Sequence, residues 1–208
     1  MSQRAFVKSF VLGLGMISVL SAGVSHATTI GACDSDLPGL CTKSVTLSGN
    51  TLTITLTNTS PTANGGYITA DAFDLAGAAT ITAYSTTDAD FTLFPAPPSG
   101  GGVVNVSPFG DREFVIGLDN TFEGGGSPVA GISTGTSATF TLTLGGNISS
   151  VTELSVFNSE VVRFRGFTDG SSDKDLITRT VPEPASLLLL GSGLAAMGFW
   201  KVKRRKSA

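Results

Sequence analysis

Thr51-Leu52-Thr53-Ile54-Thr55-Leu56-Thr57 alternates hydroxyl and aliphatic side chains at every step, and Thr139-Phe140-Thr141-Leu142-Thr143-Leu144 repeats the scheme later in the chain. A period of two puts Leu52, Ile54 and Leu56 on one face and the threonines on the other, the pattern of a half-buried strand. Working outward, shorter apolar or β-branched runs at 67–73, 80–84, 90–94, 103–106, 113–118, 154–158 and 161–164 are further strand candidates. Turn-forming clusters separate them at 58–66, 95–102, 124–128 and 145–147. No segment of the body has an apolar period near 3.6. The expected fold is therefore all-β, an antiparallel β-sandwich, with a jelly roll or barrel as the alternative.

The chain has 208 residues, 41% hydrophobic and only 14% charged, which suits one domain with appendages and leaves no room for two large ones. Charge is unevenly spread. Residues 28–181 hold six Lys/Arg against fifteen Asp/Glu, whereas 182–208 hold five Lys/Arg against Glu183 alone. A body this acidic has no footprint for phosphate backbones, so nucleic acid is excluded as a partner.

Both ends carry addresses. Arg4 and Lys8 precede an apolar stretch, and small residues lead to Ser25-His26-Ala27, which reads as a secretory signal peptide over 1–27. His26 is the sole histidine, so cleavage after Ala27 removes it and with it Ser-His-Asp catalysis, Cys-His catalysis and imidazole metal ligands. At the other end, Pro182-Glu183-Pro184 precedes an uncharged apolar run over 185–200 and a basic tail over 201–208. The prolines hold their segment extended. As a helix, 185–200 is about 24 Å long against a hydrocarbon core of about 30 Å. Trp200 at the interface and a snorkelling Lys201 make so short a span workable, and the basic tail places the body on the non-cytoplasmic side.

This order of parts resembles the PEP-CTERM sorting signal of Gram-negative bacteria, in which a Pro-Glu-Pro motif, a short transmembrane helix and a basic tail mark a substrate of the membrane enzyme exosortase. The same tail is also labelled an ice-binding protein C-terminal domain, a label that describes the sorting module and carries no evidence of ice binding. The resemblance implies Pro182, Glu183 and Pro184 as the sorting motif and exosortase as partner. It implies an inner-membrane-anchored precursor and a mature form at the cell surface or outside the cell, associated with exopolysaccharide or biofilm. Body segments 58–70 and 162–174 are also similar to stretches found in PEP-CTERM proteins, which suggests that 161–167 is the last strand. The expected organisation is a signal peptide at 1–27, a β body at 28–168, a linker at 169–181 and the sorting signal at 182–208.

Cys33 and Cys41 form an even, closely spaced pair in the exported part and read as a disulfide; a catalytic thiol is the alternative, without a histidine to activate it. Paired carboxylates suited to sugar hydrolysis are Asp88 with Asp90, Asp111 with Glu113, Asp119 with Glu123, and Glu153 with Glu160. The simpler reading is that they keep an exported protein soluble, because the aromatic platforms of a sugar cleft are scarce. No cofactor is expected. Calcium is the metal that acidic clusters could hold, with Asp34, Asp36, Asp169, Asp173 and Asp175 as candidates, although neither cluster follows the EF-hand order. The threonine rows read first as a solvated strand face and second as an array that could meet a polysaccharide or ice surface. Taken together, the expectation is a non-enzymatic, structural or adhesive exported protein, with a glycan-binding module or carbohydrate-active enzyme as its rival.

Overall fold

The computed structural model describes residues 29–33, 38–119, 121–123, 126–156 and 160–180. The expected signal peptide, the sorting motif with its transmembrane helix, and Asp34 and Asp36 lie outside these residues. Among the described residues no helix is long and apolar enough to cross a membrane.

The two alternating segments are β3 (Thr51–Asn58) and β11 (Ser137–Gly146), and they pair antiparallel with Thr55 opposite Thr139 and Ile54 opposite Phe140. Around them run β1 (Thr29–Cys33), β2 (Cys41–Ser48), β4 (Gly65–Phe73), β5 (Ala79–Thr86), β6 (Thr92–Phe94) and β9 (Phe114–Gly117). The set is completed by β10 (Ile132–Ser133), β12 (Val161–Phe167) and β13 (Ser172–Thr180). Hydrogen bonding runs in the order β5-β11-β3-β2-β1-β13-β12-β4-β9-β6, with β10 attached to β4. Every pairing is antiparallel, as expected for the all-β class. The sandwich and the barrel converge here: two halves face one another, yet β1, β13 and β12 join them into one nearly closed sheet. Ile81 of β5 exchanges backbone hydrogen bonds with Ser99, just beyond β6, at the remaining gap.

The core lies between the halves. Val45, Leu52, Ile54, Leu56, Phe140 and Leu142 from one side meet Ile68, Phe73, Phe114, Ile116 and Phe164 from the other, all fully buried. A second apolar layer covers the outer face of β4, β9 and β12. There Ala70, Ala72, Val115 and Val161 pack beneath Val104, Val106 and Phe122 from the 94–123 segment, which contains the small hairpin of β7 (Val104–Asn105) and β8 (Asp111–Arg112). Phe114-Val115-Ile116-Gly117 is buried at every position because both of its faces are covered. The β2–β3 turn needs only Gly49 and Asn50, and Gly49 takes a φ of +59°, the left-handed value required at the first central position of a tight hairpin turn.

Two expectations need correction. Residues 154–158 were expected as a strand, but Glu153–Val156 is a single helical turn, α1. Thr152 and Ser155 cap it reciprocally: the Thr152 amide donates to Ser155 Oγ at 2.9 Å and the Ser155 amide to Thr152 Oγ1 at 3.1 Å. The expected linker at 169–181 contains β13, which pairs with β12 on one side and β1 on the other. Its aspartates hid the strand, while Ile177 secures it by entering the main core.

Candidate functional site

The hydroxyl-bearing faces of β2, β3 and β11 align across the sheet. Strand register places Thr42, Thr57 and Ser137 in one row, Ser44, Thr55 and Thr139 in the next, then Thr46, Thr53 and Thr141, and finally Ser48, Thr51 and Thr143. Leu52, Ile54 and Leu56 point the other way into the core, and this fixes the orientation of the whole grid. Neighbouring hydroxyls interact, Thr55 Oγ1 with Thr139 Oγ1 at 3.0 Å and Thr57 Oγ1 with Ser137 Oγ at 2.7 Å. With positions about 4.8 Å apart within a row, across strands, and rows about 6.8 Å apart along them, the hydroxyls form a regular uncharged lattice of donors and acceptors.

A different chemistry sits inside. Lys43 follows Cys41 and precedes Val45 in the inward phase of β2, and it is 1% exposed. Its Nζ donates to Asp71 Oδ2 of β4 at 2.5 Å, also contacts Glu160 Oε1, and lies 5.7 Å from the centre of the Phe73 ring. Asp71 and Glu160 are as deeply buried as Lys43. Burial pushes the Lys43 amine down from its usual pKa, against the pull of Asp71; burial pushes the Asp71 carboxyl up, against the pull of Lys43. The phase of Lys43 with Cys41 and Val45 was the signal in the sequence, and strand prediction passed it over because a lysine breaks the apolar alternation.

Cys33 and Cys41 are joined, with Cα atoms 5.0 Å apart, and tie the end of β1 to the start of β2. Of the other calcium candidates, Asp169, Asp173 and Asp175 are described. Asp169, in the β12–β13 turn, accepts from the Ser171 amide at 2.9 Å, and Asp173 accepts from the Lys174 amide at 2.7 Å. Asp175 is buried opposite Val162. Among the described residues no three His, Cys, Asp or Glu side chains gather as a metal site.

Four of the carboxylates considered for hydrolysis accept from backbone amides. Asp88 accepts from the Asp90 amide, Glu113 from the Leu75 amide, Asp119 from the Thr121 amide and Glu153 from the Leu47 amide. Glu123 instead receives Arg163 Nη1 at 2.7 Å and Lys174 Nζ, which pin the outer segment onto β12 and β13. Those hydrogen bonds, Lys174's foremost, hold the Glu123 carboxyl below the usual range against a smaller opposing effect of burial.

Fold and site together define an all-β domain whose last strand ends where a sorting segment begins. The family model of the PEP-CTERM protein-sorting motif matches residues 180–205, so the chain carries that motif directly after β13. The motif is a signal recognised by exosortase, and it identifies an exported, exosortase-sorted protein. Comparison with curated proteins and with solved structures returns no match.

Proposed function

We propose that the chain is an exported structural or adhesive protein of the cell surface or extracellular matrix, which contacts exopolysaccharide through the hydroxyl lattice of β2, β3 and β11. The protein is then the substrate of exosortase and itself catalyses no turnover. The lattice is the observation that carries the reading. It is regular, uncharged and backed by the core, so many weak hydrogen bonds to a repeating polymer add together without ordering any loop.

The route is part of the proposal. The signal peptide at 1–27 directs export, the 185–200 segment anchors the precursor in the inner membrane, and processing near Pro182, Glu183 and Pro184 releases the body. Ile30 of β1 pairs with Thr180 of β13, so the chain enters and leaves the domain side by side. A precursor held at both ends needs that arrangement, because both attachments must reach one membrane surface.

Two experiments test it. Intact mass of the protein from the native host's medium should give a species ending near Pro182–Pro184, and a chain with Pro182, Glu183 and Pro184 all changed to Ala should stay in the membrane fraction; release of that variant would overturn the route. In a sedimentation assay with the host's insoluble matrix polysaccharide, a Thr53→Glu, Thr141→Glu pair should weaken binding at least about tenfold, equivalent to about 1.4 kcal/mol. Unchanged sedimentation would overturn the lattice as the contact surface.

A further inference from the structure

Lys43, Asp71 and Glu160 form the most chemically loaded cluster among the described residues, and neither sorting nor surface contact makes use of it. All three lie in the main apolar core, 1% exposed each. Lys43 reaches across from β2, whereas Asp71 lies on β4 of the facing half and Glu160 immediately precedes the neighbouring β12: Asp71 is opposite Val162, two residues beyond Glu160. As an ion cluster the arrangement is poor. One ammonium faces two carboxyl groups, and Asp71 Oδ1 and Glu160 Oε2 have no hydrogen-bond partner among the described residues. A buried charge cluster left part-satisfied is strongly unfavourable.

We propose that Lys43 Nζ and Glu160 Cδ are joined by an amide bond, formed within the folded core with Asp71 as the acid–base group.

The chemistry follows from the placement. An uncharged amine is a nucleophile and an uncharged carboxyl an electrophile, and the dry core favours both neutral forms. The fold holds the reacting groups in contact, which replaces a bimolecular encounter, and it keeps water from reversing the reaction. The ammonium first gives a proton to Glu160. The Nζ lone pair then attacks Glu160 Cδ while Asp71, carrying one proton, accepts a second proton from Nζ on Oδ2. Its own proton passes from Oδ1 to the departing hydroxyl. The Cδ–O bond breaks, one water leaves, and Asp71 ends with the single proton it began with. No oxidant or outside reactant enters. Afterwards the amide N–H donates to Asp71 and the Asp71 hydroxyl donates to the new carbonyl, so no charge remains in the core.

Glu160 is assigned as acceptor because Nζ approaches it more closely than it approaches Asp71, which holds Nζ by a hydrogen bond at 2.5 Å. The resulting bridge links β2 to the start of β12 across the core. It would lock the two halves of the sheet together in a protein that must survive outside the cell.

Peptide mapping of the full chain, reduced, denatured and digested with trypsin, decides the matter. No Lys or Arg lies between Lys43 and Arg112 or between Arg112 and Arg163. A Lys43–Glu160 bond therefore blocks cleavage at Lys43 and couples the peptide ending at Arg112 to peptide 113–163, one water lighter than their sum. That coupled species is expected in essentially all of the chain, and fragmentation should place the branch at Lys43 and Glu160. Recovery of a peptide ending at Lys43 with a free amine would overturn the proposal. A single uncoupled peptide ending at Arg112 and lighter by one water would place the bond at Asp71 and overturn the assignment of Glu160. In an Asp71→Ala chain the coupled species should disappear; its persistence would overturn the role given to Asp71.

Discussion

Asn58 is the last residue of β3 and is fully buried, and its one amide group serves three pieces of backbone. Nδ2 donates to the carbonyls of Gly66 at 3.0 Å and Ile132 at 2.9 Å, while Oδ1 accepts from the Ser60 amide at 3.0 Å. It thus joins the end of β3 to the start of β4 and to β10, at a point where no ladder can satisfy those groups. Asn58→Ala orphans all three and should cost about 3 kcal/mol, since each buried unsatisfied group costs roughly 1–3 kcal/mol before relaxation. Urea unfolding should show this as a lower midpoint with unchanged slope. Asn58→Asp keeps the size but turns two donations into oxygen facing oxygen, so it should be at least as damaging; an Asp variant as stable as the parent would refute the donor assignment. Asn58 stood in a sequence cluster read only as a turn, because the three partners of a side-chain amide are scattered along the chain and leave no periodic trace.

At the scale of elements, β1 is short, and the Cys33–Cys41 link adds a covalent tie to its ladders with β2 and β13. Closing so small a loop is worth about 2–3 kcal/mol in the chain-entropy description. Reduction should lower the thermal midpoint by several degrees, and a Cys33→Ser, Cys41→Ser chain should melt at that lower temperature with no further response to reductant. A reductant response in that double variant would mean the effect lies elsewhere. The disulfide, β3 and β11 were all legible in the sequence, since each announces itself locally, by an even cysteine pair or by strict alternation. By contrast, β2 was not, because Lys43 occupies an inward position where the pattern demands an apolar residue. Nor was β13, whose Asp173 and Asp175 imitate a solvated linker. The hydroxyl rows were visible as strings, but their alignment into a lattice depends on register across three strands, which one sequence does not display. For α1, reciprocal capping by Thr152 and Ser155 closes a helical turn whose Glu153 and Leu154 are themselves good helix formers, and only Val156 favours a strand.

At the scale of the whole molecule, β13 decides whether the halves form one object. It lies between β1 and β12, so without it the sheet path breaks in the middle and two edges are exposed where a nearly closed surface had been. The matched sorting motif begins at Thr180, the residue that ends β13, so the fold and the sorting signal abut with no spacer between them. Two truncations should therefore behave very differently. A chain ending at Thr180 retains every described strand and should melt in a single cooperative transition. A chain ending at Gly170 lacks all of β13, loses Ile177 from the core, and leaves β1 held by β2 alone. It should give no cooperative transition and should aggregate through its open edges, as measured by circular dichroism melting and light scattering. Equal melting of the two chains would show that β13 is dispensable and that the 169–181 segment acts as the linker its composition suggests. With β13 integral, the exported domain is complete only once the chain has been translocated up to the sorting motif. The matched motif then begins at Thr180, which pairs with Ile30 of β1, so its first residue is fixed by the fold only after β13 has docked beside β1.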